Sequence, residues 1–61
     1  MATTGENIRR YRKAHGLSAA RLGEMVGLTE SAILHYERGI RTPGESQLEK
    51  IAHALDVSPR M

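Results

Sequence analysis

Apolar residues recur along this chain in short clusters with helical spacing. Ile8 and Tyr11 lie three apart, and Leu22, Met25 and Val26 fall at i, i+3 and i+4. Ile33 and Tyr36 repeat the three-residue step, and Leu48, Ile51, Ala52 and Leu55 fall at i, i+3, i+4 and i+7. Start and stop signals bracket each cluster. Thr3-x-x-Glu6 reads as a capping box for the first helix, and Gly16 stops it. Ser18 caps a second helix that ends at Gly27, and Thr29 caps a third that Gly39 closes. In "IRTPG", Pro43 disfavours helical backbone at Thr42, so this stretch is a loop. A fourth helix is expected over residues 45–55, broken by Asp56-Val57. Ser58 followed by Pro59 has the form of a fifth helix start, within one turn of Met61.

No segment alternates with period two, and no Asn-Gly or Asp-Gly hairpin signal occurs. The fold class is therefore all-α, four to five compact helices, with residues 1–61 as one domain. Helices two and three are separated only by "GLT", too short for an ordinary antiparallel hairpin. A tight glycine-containing turn of that length sets two helices at a steep angle, as in a helix-turn-helix spanning about residues 18–38. Gly23 lies inside the second helix, where it costs about 1 kcal/mol relative to alanine. Lacking a Cβ, it admits a close neighbour, with Leu28 and Ile33 expected beneath it.

Composition narrows the chemistry. Sixty-one residues are near the lower limit for a core that folds unaided, and there is no cysteine to staple it. His15, His35 and His53 are widely spaced, without any HExxH pattern, so no metal or cofactor is expected. No apolar run approaches the ~20 residues that span a bilayer. "MATTGENIRR" lacks the apolar stretch of a signal peptide, so the expected location is the cytoplasm, with no membrane partner. No paired-carboxylate, nucleophile–base or phosphate-loop constellation is present, and a domain this small leaves little room for a pocket; an enzyme is not expected. Net charge is +2, nine Lys and Arg against seven Asp and Glu. Its distribution says more than its size, because Arg9, Arg10, Arg12 and Lys13 share one segment while Arg38 and Arg41 bracket Gly39. By itself such a run reads as a solvated helix face.

The third helix raises the question of its outer side. At about 100° per residue, Glu30, Ser31, Leu34, His35 and Arg38 share the face opposite Ile33 and Tyr36. Taken alone this too is a solvated face, with Glu30 complementing a helix N-terminus.

The joint spacing changes that weighting. "LSAARLGEMVGLTESAILHYERG", with "RTPGESQLEKIAHALDVS" after it, resembles the helix-turn-helix of the lambda-repressor-like family of bacterial and phage regulators, also called the xenobiotic-response-element family. The matching positions include Leu17-Ser18, Leu22, Gly23, Gly27, Thr29, Ile33 and Glu37-Arg38-Gly39. The resemblance implies a sequence-specific double-stranded DNA-binding transcriptional regulator, most simply a repressor, reading the major groove with helix three (about residues 30–38). A groove ~12 Å wide admits one α-helix. On that reading Glu30 accepts from a cytosine amino group, Ser31 donates or accepts, and Ala32 touches a thymine methyl. Leu34 adds an apolar contact, and His35 donates to guanine. Phosphate contacts fall to Ser18 and Ala19 at the start of helix two, and to Arg38, Arg41 and Thr42 after helix three, with Arg9 and Arg10 as further candidates. In the family an arginine on helix one pairs with the glutamate near the end of helix three, which implies an architectural pair, Arg12 with Glu37, that lends Arg12 to a nearby phosphate.

Because one recognition helix touches only a few base pairs, the expected partner is a near-palindromic operator bound by a homodimer. No effector domain is legible in these residues. Self-association is expected to use the helical body from helix four onward, or segments outside an excised domain. The chain departs from the family pattern at Ala19, where glutamine is common, at Arg21, where glutamate often completes a capping box, and at Glu30. These departures lend weight to an alternative, a protein-binding adaptor or antitoxin that retains the fold.

Overall fold

A computed structural model describes residues 3–60. It contains four helices and, among the described residues, no strand: α1 (Thr4–Ala14), α2 (Ala19–Val26), α3 (Glu30–Glu37) and α4 (Glu45–Ala54). The side chains expected to cap them do so. Thr3 Oγ1 accepts from the Glu6 amide at 3.2 Å, Ser18 Oγ from the Arg21 amide at 3.0 Å, and Thr29 Oγ1 from the Ala32 amide at 3.1 Å. Each bond satisfies one of the amides that a helix start leaves without an intrahelical acceptor. In the first box Glu6 takes a hydrogen bond from the Thr3 hydroxyl, at 3.3 Å. Helix α4 starts instead at Gly44, which has no side chain to cap with.

The stops share one geometry. At Gly27, φ is +74°, and the Leu28 amide reaches back to the Gly23 carbonyl at 2.8 Å. Asp56 closes α4 the same way with φ +56°, while the Val57 amide donates to Ala52 at 3.0 Å. Aspartate tolerates the left-handed region better than most residues, which is why "LDV" ends this helix without a glycine. The helix stops at Ala54 with Leu55 as its cap, one residue short of the expected span.

The core is one cluster: Ile8, Ala19, Leu22, Ile33, Tyr36, Ile51 and Leu55, with Tyr11, Leu17, Val26, Leu28, Leu34, Ala54 and Val57 packed around it. All four apolar clusters of the sequence supply it, and the side chains of Ile8, Leu22, Ile33, Ile51 and Leu55 are fully buried.

Two expectations are corrected. Met25 is not part of the core; it is 45% exposed. The inward arc of α2 is Ala19, Leu22, Gly23 and Val26, and Met25 lies about 110° round the helix from the middle of that arc. Small residues at 19 and 23 draw the neighbouring backbone in close, and this rotates the buried face away from Met25. The fifth helix does not form within the described residues, where 58–60 make a turn with Ser58 Oγ accepting from the Arg60 amide at 3.3 Å.

Candidate nucleic-acid interface

The position of α3 is set by backbone contact with α2. A Cβ built on Gly23 would sit 2.5 Å from the Leu28 carbonyl oxygen and 3.2 Å from Thr29 backbone atoms. The residue beneath Gly23 is therefore the turn itself, more than the Leu28 and Ile33 side chains that the sequence suggested. With Ile33 and Tyr36 locked into the core, α3 has one rotational setting, and its opposite side is fixed outward.

On that side Glu30, Ser31 and Arg38 are exposed, and Ala32, Leu34 and His35 are half-buried. Leu34 also packs against the core cluster, so only part of it is available to a ligand. His35 lends its carbonyl to the Ile40 amide at 3.0 Å and the Arg41 amide at 3.3 Å, which ties the following loop to the helix end. Arg41 and Thr42 are exposed on that loop.

At the start of α2, Ser18 is exposed but its hydroxyl already accepts from Arg21. Ala19 points inward, 8% exposed. What this end offers an anion is therefore backbone: the amides of Ala19 and Ala20, which have no acceptor within the helix.

The seam between α1 and α3 carries the most specific polar contact in the molecule. Arg12 Nε donates to Glu37 Oε2 at 2.6 Å and Nη2 to Glu37 Oε1 at 3.0 Å, a bidentate pair whose side chains are 11% and 4% exposed. Arg12 Nη1 donates to the Leu17 carbonyl at 2.8 Å, binding the α1–α2 connection into the same knot. The hydrogen bonds to Glu37 hold the Arg12 pKa above its already high ordinary value, against the opposing effect of burial. The pair expected from the resemblance is thus formed, and each guanidinium nitrogen already has an internal acceptor.

Beside it lies a hollow of about 160 Å³ lined by Arg9, Arg12, Leu34, Glu37 and Arg38. Glu37 neutralises Arg12, which leaves Arg9 and Arg38 as the charges at this spot without an ionic partner among the described residues. The sequence treated Arg9 and Arg10 alike, but the structure separates them. Arg10 lies over its neighbour, its guanidinium carbon 5.2 Å from the Tyr11 ring centre and Nη2 3.5 Å from the Tyr11 hydroxyl. Arg9 faces the end of α3.

Gly5 has a role that sequence reading missed. A Cβ there would collide with the Tyr36 carbonyl oxygen and lie 2.8 Å from that of Glu37. The first turn of α1 therefore packs directly on the last turn of α3. A glycine just behind a helix cap is the signal that was available, since it carries a propensity cost with no local benefit.

Among the described residues, no cluster of histidine and acidic side chains could hold a metal ion. Nor is any helix among the described residues long and apolar enough to cross a membrane.

A family model described as Helix-turn-helix matches residues 8–61. The transcriptional regulator SinR of Bacillus subtilis is 40% identical over 55 residues, which cover 88% of this chain and 50% of SinR. Repressor protein C2 of Salmonella phage P22 is also 40% identical over 55 residues, 90% of this chain and 26% of that protein. The chain spans half or less of the length of these curated relatives. Among solved structures, the P22 c2 repressor in complex with a synthetic operator superimposes with a TM-score of 0.92 at 37% identity, covering 97% of this chain and 89% of that one. SinR in complex with DNA gives a TM-score of 0.89 at 37% identity, covering 97% and 95%. With the caps, the Gly23 contact and the Arg12–Glu37 pair in place, the chain belongs to the lambda-repressor-like helix-turn-helix family.

Proposed function

We propose that this chain is a cytoplasmic, sequence-specific DNA-binding domain of a transcriptional regulator, most simply a repressor, that binds a near-palindromic operator as a homodimer. The observation that carries this reading is the outer side of α3. Glu30, Ser31, His35 and Arg38 project from a helix whose other side is locked in the core, and at its C-terminal end Arg38 lines one hollow with Arg9 and another with Arg41. Relatives 37% identical have been solved with DNA, which supports the same use here.

The roles divide by chemistry. Glu30 accepts from a cytosine amino group, Ser31 and His35 hydrogen-bond base edges, and Ala32 and the exposed part of Leu34 meet thymine methyls. Arg38, Arg41, Thr42 and the free amides that follow the Ser18 cap, those of Ala19 and Ala20, hold phosphates, joined by Arg9. Arg12 acts chiefly by holding α1 to α3, and reaches a phosphate only through N–H groups not directed at Glu37 or Leu17.

Selection of bound sequences from a random duplex pool tests this directly. Ser31→Ala and His35→Ala are expected to cost about 1–3 kcal/mol on the preferred site and to relax preference at one or two positions. Glu30→Gln should raise non-specific affinity and change preference at a cytosine. Unchanged discrimination in all three variants would show that this face does not read DNA, and a protein-binding adaptor would then be the better account.

A further inference from the structure

All four helices stop in the same way. A residue with positive φ, Gly16, Gly27, Gly39 or Asp56, is followed by an apolar one whose amide donates to the carbonyl five residues back. Leu17 reaches Arg12 at 3.1 Å, Leu28 reaches Gly23 at 2.8 Å, Ile40 reaches His35 at 3.0 Å and Val57 reaches Ala52 at 3.0 Å. The apolar residue of this motif ordinarily packs back on the body of the molecule. Leu17, Leu28 and Val57 do so, against the core. Ile40 is the exception, at 65% exposed.

Its surroundings say what covers it. Ile40 lies between Arg38 and Arg41, both exposed and neither with an ionic partner among the described residues. A matching surface is therefore apolar in the middle and anionic on both flanks. A hollow of about 490 Å³ between the start of α1 and this loop is lined by every residue of 36–43 except Ile40. Ile40 thus stands outside it, with its amide held by the carbonyl of His35 on the outer side of α3. Met25, the other exposed large apolar residue, borders an open groove beside Glu49 and Lys50 of α4, where charges of both signs specify no such partner. A DNA strand carries the required order of chemistry along its edge: phosphate, the hydrocarbon edge of a deoxyribose, phosphate.

We propose that Ile40 packs on the C2′ methylene of a deoxyribose between the two phosphates held by Arg38 and Arg41. The inference rests on the DNA-binding function proposed above and adds to it a contact of a different kind. Burying hydrocarbon releases no counterions, so this contact adds affinity without adding to the salt dependence that the arginines create. It also makes the site selective for a 2′-deoxy sugar, because a ribose would press a hydroxyl against the isoleucine without a hydrogen-bond partner.

Salt titration separates the contact from its neighbours, using the whole chain and the duplex it selects from a random pool. Ile40→Ala should weaken binding about three- to tenfold at every salt concentration, the loss expected for a modest apolar area. The slope of log affinity against log salt should not change. Ile40→Leu should restore most of the affinity, and Ile40→Lys should steepen the slope by about 0.9 as its ammonium takes up a phosphate. Thermal unfolding should be unchanged in all three, since most of the side chain is already in water. A single ribose placed in turn at each nucleotide of one half-site then locates the sugar. At one position it should weaken binding of the parent several-fold and leave binding of Ile40→Ala nearly unaffected. An Ile40→Ala variant that binds like the parent would overturn the proposal, as would one whose salt slope falls by about 0.9, since a phosphate contact would then have been lost instead. A ribose scan with no position that depends on residue 40 would overturn it too. Loss confined to cooperative binding on a full operator, with half-site binding intact, would replace the sugar with a second protein chain. In each of these cases the parent still selects a duplex and the DNA reading stands. A parent that selects none overturns that reading, and this inference with it.

Discussion

The seam between α1 and α3 and the seam between α2 and α4 use similar residues for opposite ends. In the first, an arginine and a glutamate are buried together at 2.6 and 3.0 Å, and a glycine lets two backbones touch at the other end. Every donor of consequence is answered inside the molecule. In the second, a glutamate and a lysine stand exposed beside a methionine, and the groove between the helices stays open. The difference teaches how to separate residues that make this fold from residues available to a partner. Charge alone does not distinguish them; burial and internal pairing do. A buried charge without its partner cannot be tolerated, whereas an exposed one is merely solvated.

The largest expected effect lies in the closed seam. Glu37→Ala should destabilise the chain by about 3–5 kcal/mol, because it strands the Arg12 guanidinium in the interior. Urea denaturation with a double-mutant cycle against Arg12→Ala measures the coupling, and a coupling near zero would erase the contrast between the two seams. The raised arginine pKa adds no pH window near neutrality. A raised folded pKa gives stability that is fully present below the unfolded value, which for arginine means all ordinary conditions.

Next in size are the glycine contacts. Gly23→Ala and Gly5→Ala would each gain up to about 1 kcal/mol of helix propensity. Both should nevertheless destabilise, by about 1–3 kcal/mol, since the new methyl meets carbonyl oxygens of a packed backbone. A rise in melting temperature for Gly23→Ala would mean that the turn can give way, and that α3 is held less firmly than its core residues imply.

Substitutions at the arginines near α3 should leave stability nearly unchanged and appear only on DNA. Arg38→Ala and Arg9→Ala are each expected to reduce the slope of log affinity against log salt by about 0.9, whereas Arg10→Ala, turned onto Tyr11, should reduce it less. Equal slopes for Arg9 and Arg10 would remove the distinction drawn from the hollow beside Arg12.

The smallest effect belongs to the open seam. Met25→Ala should cost under about 1 kcal/mol of stability, because nearly half of the residue is already in water. A core-sized loss of 2–5 kcal/mol, the range expected for Leu22→Ala, would place Met25 among the residues that build the fold.

Local sequence specifies the four helices, their caps at Thr3, Ser18 and Thr29, and the inward residues of each apart from Met25, which is exposed, and Leu48, which is only half-buried. These depend on hydrogen bonds and periodicity among residues a few positions apart, so neighbours along the chain are enough to specify them. The outward face of α3 follows from the same arithmetic, given that Ile33 and Tyr36 are buried. The Arg12–Glu37 pair was reached only through the family resemblance, since nothing local joins positions 25 apart. Tertiary structure alone decided that Gly5 meets the end of α3, that Arg9 faces the hollow while Arg10 does not, and that Met25 borders an open groove. Each of these depends on which faces of distant helices come together, and small residues at 5, 19 and 23 set that by letting backbones approach where larger side chains would have held them apart.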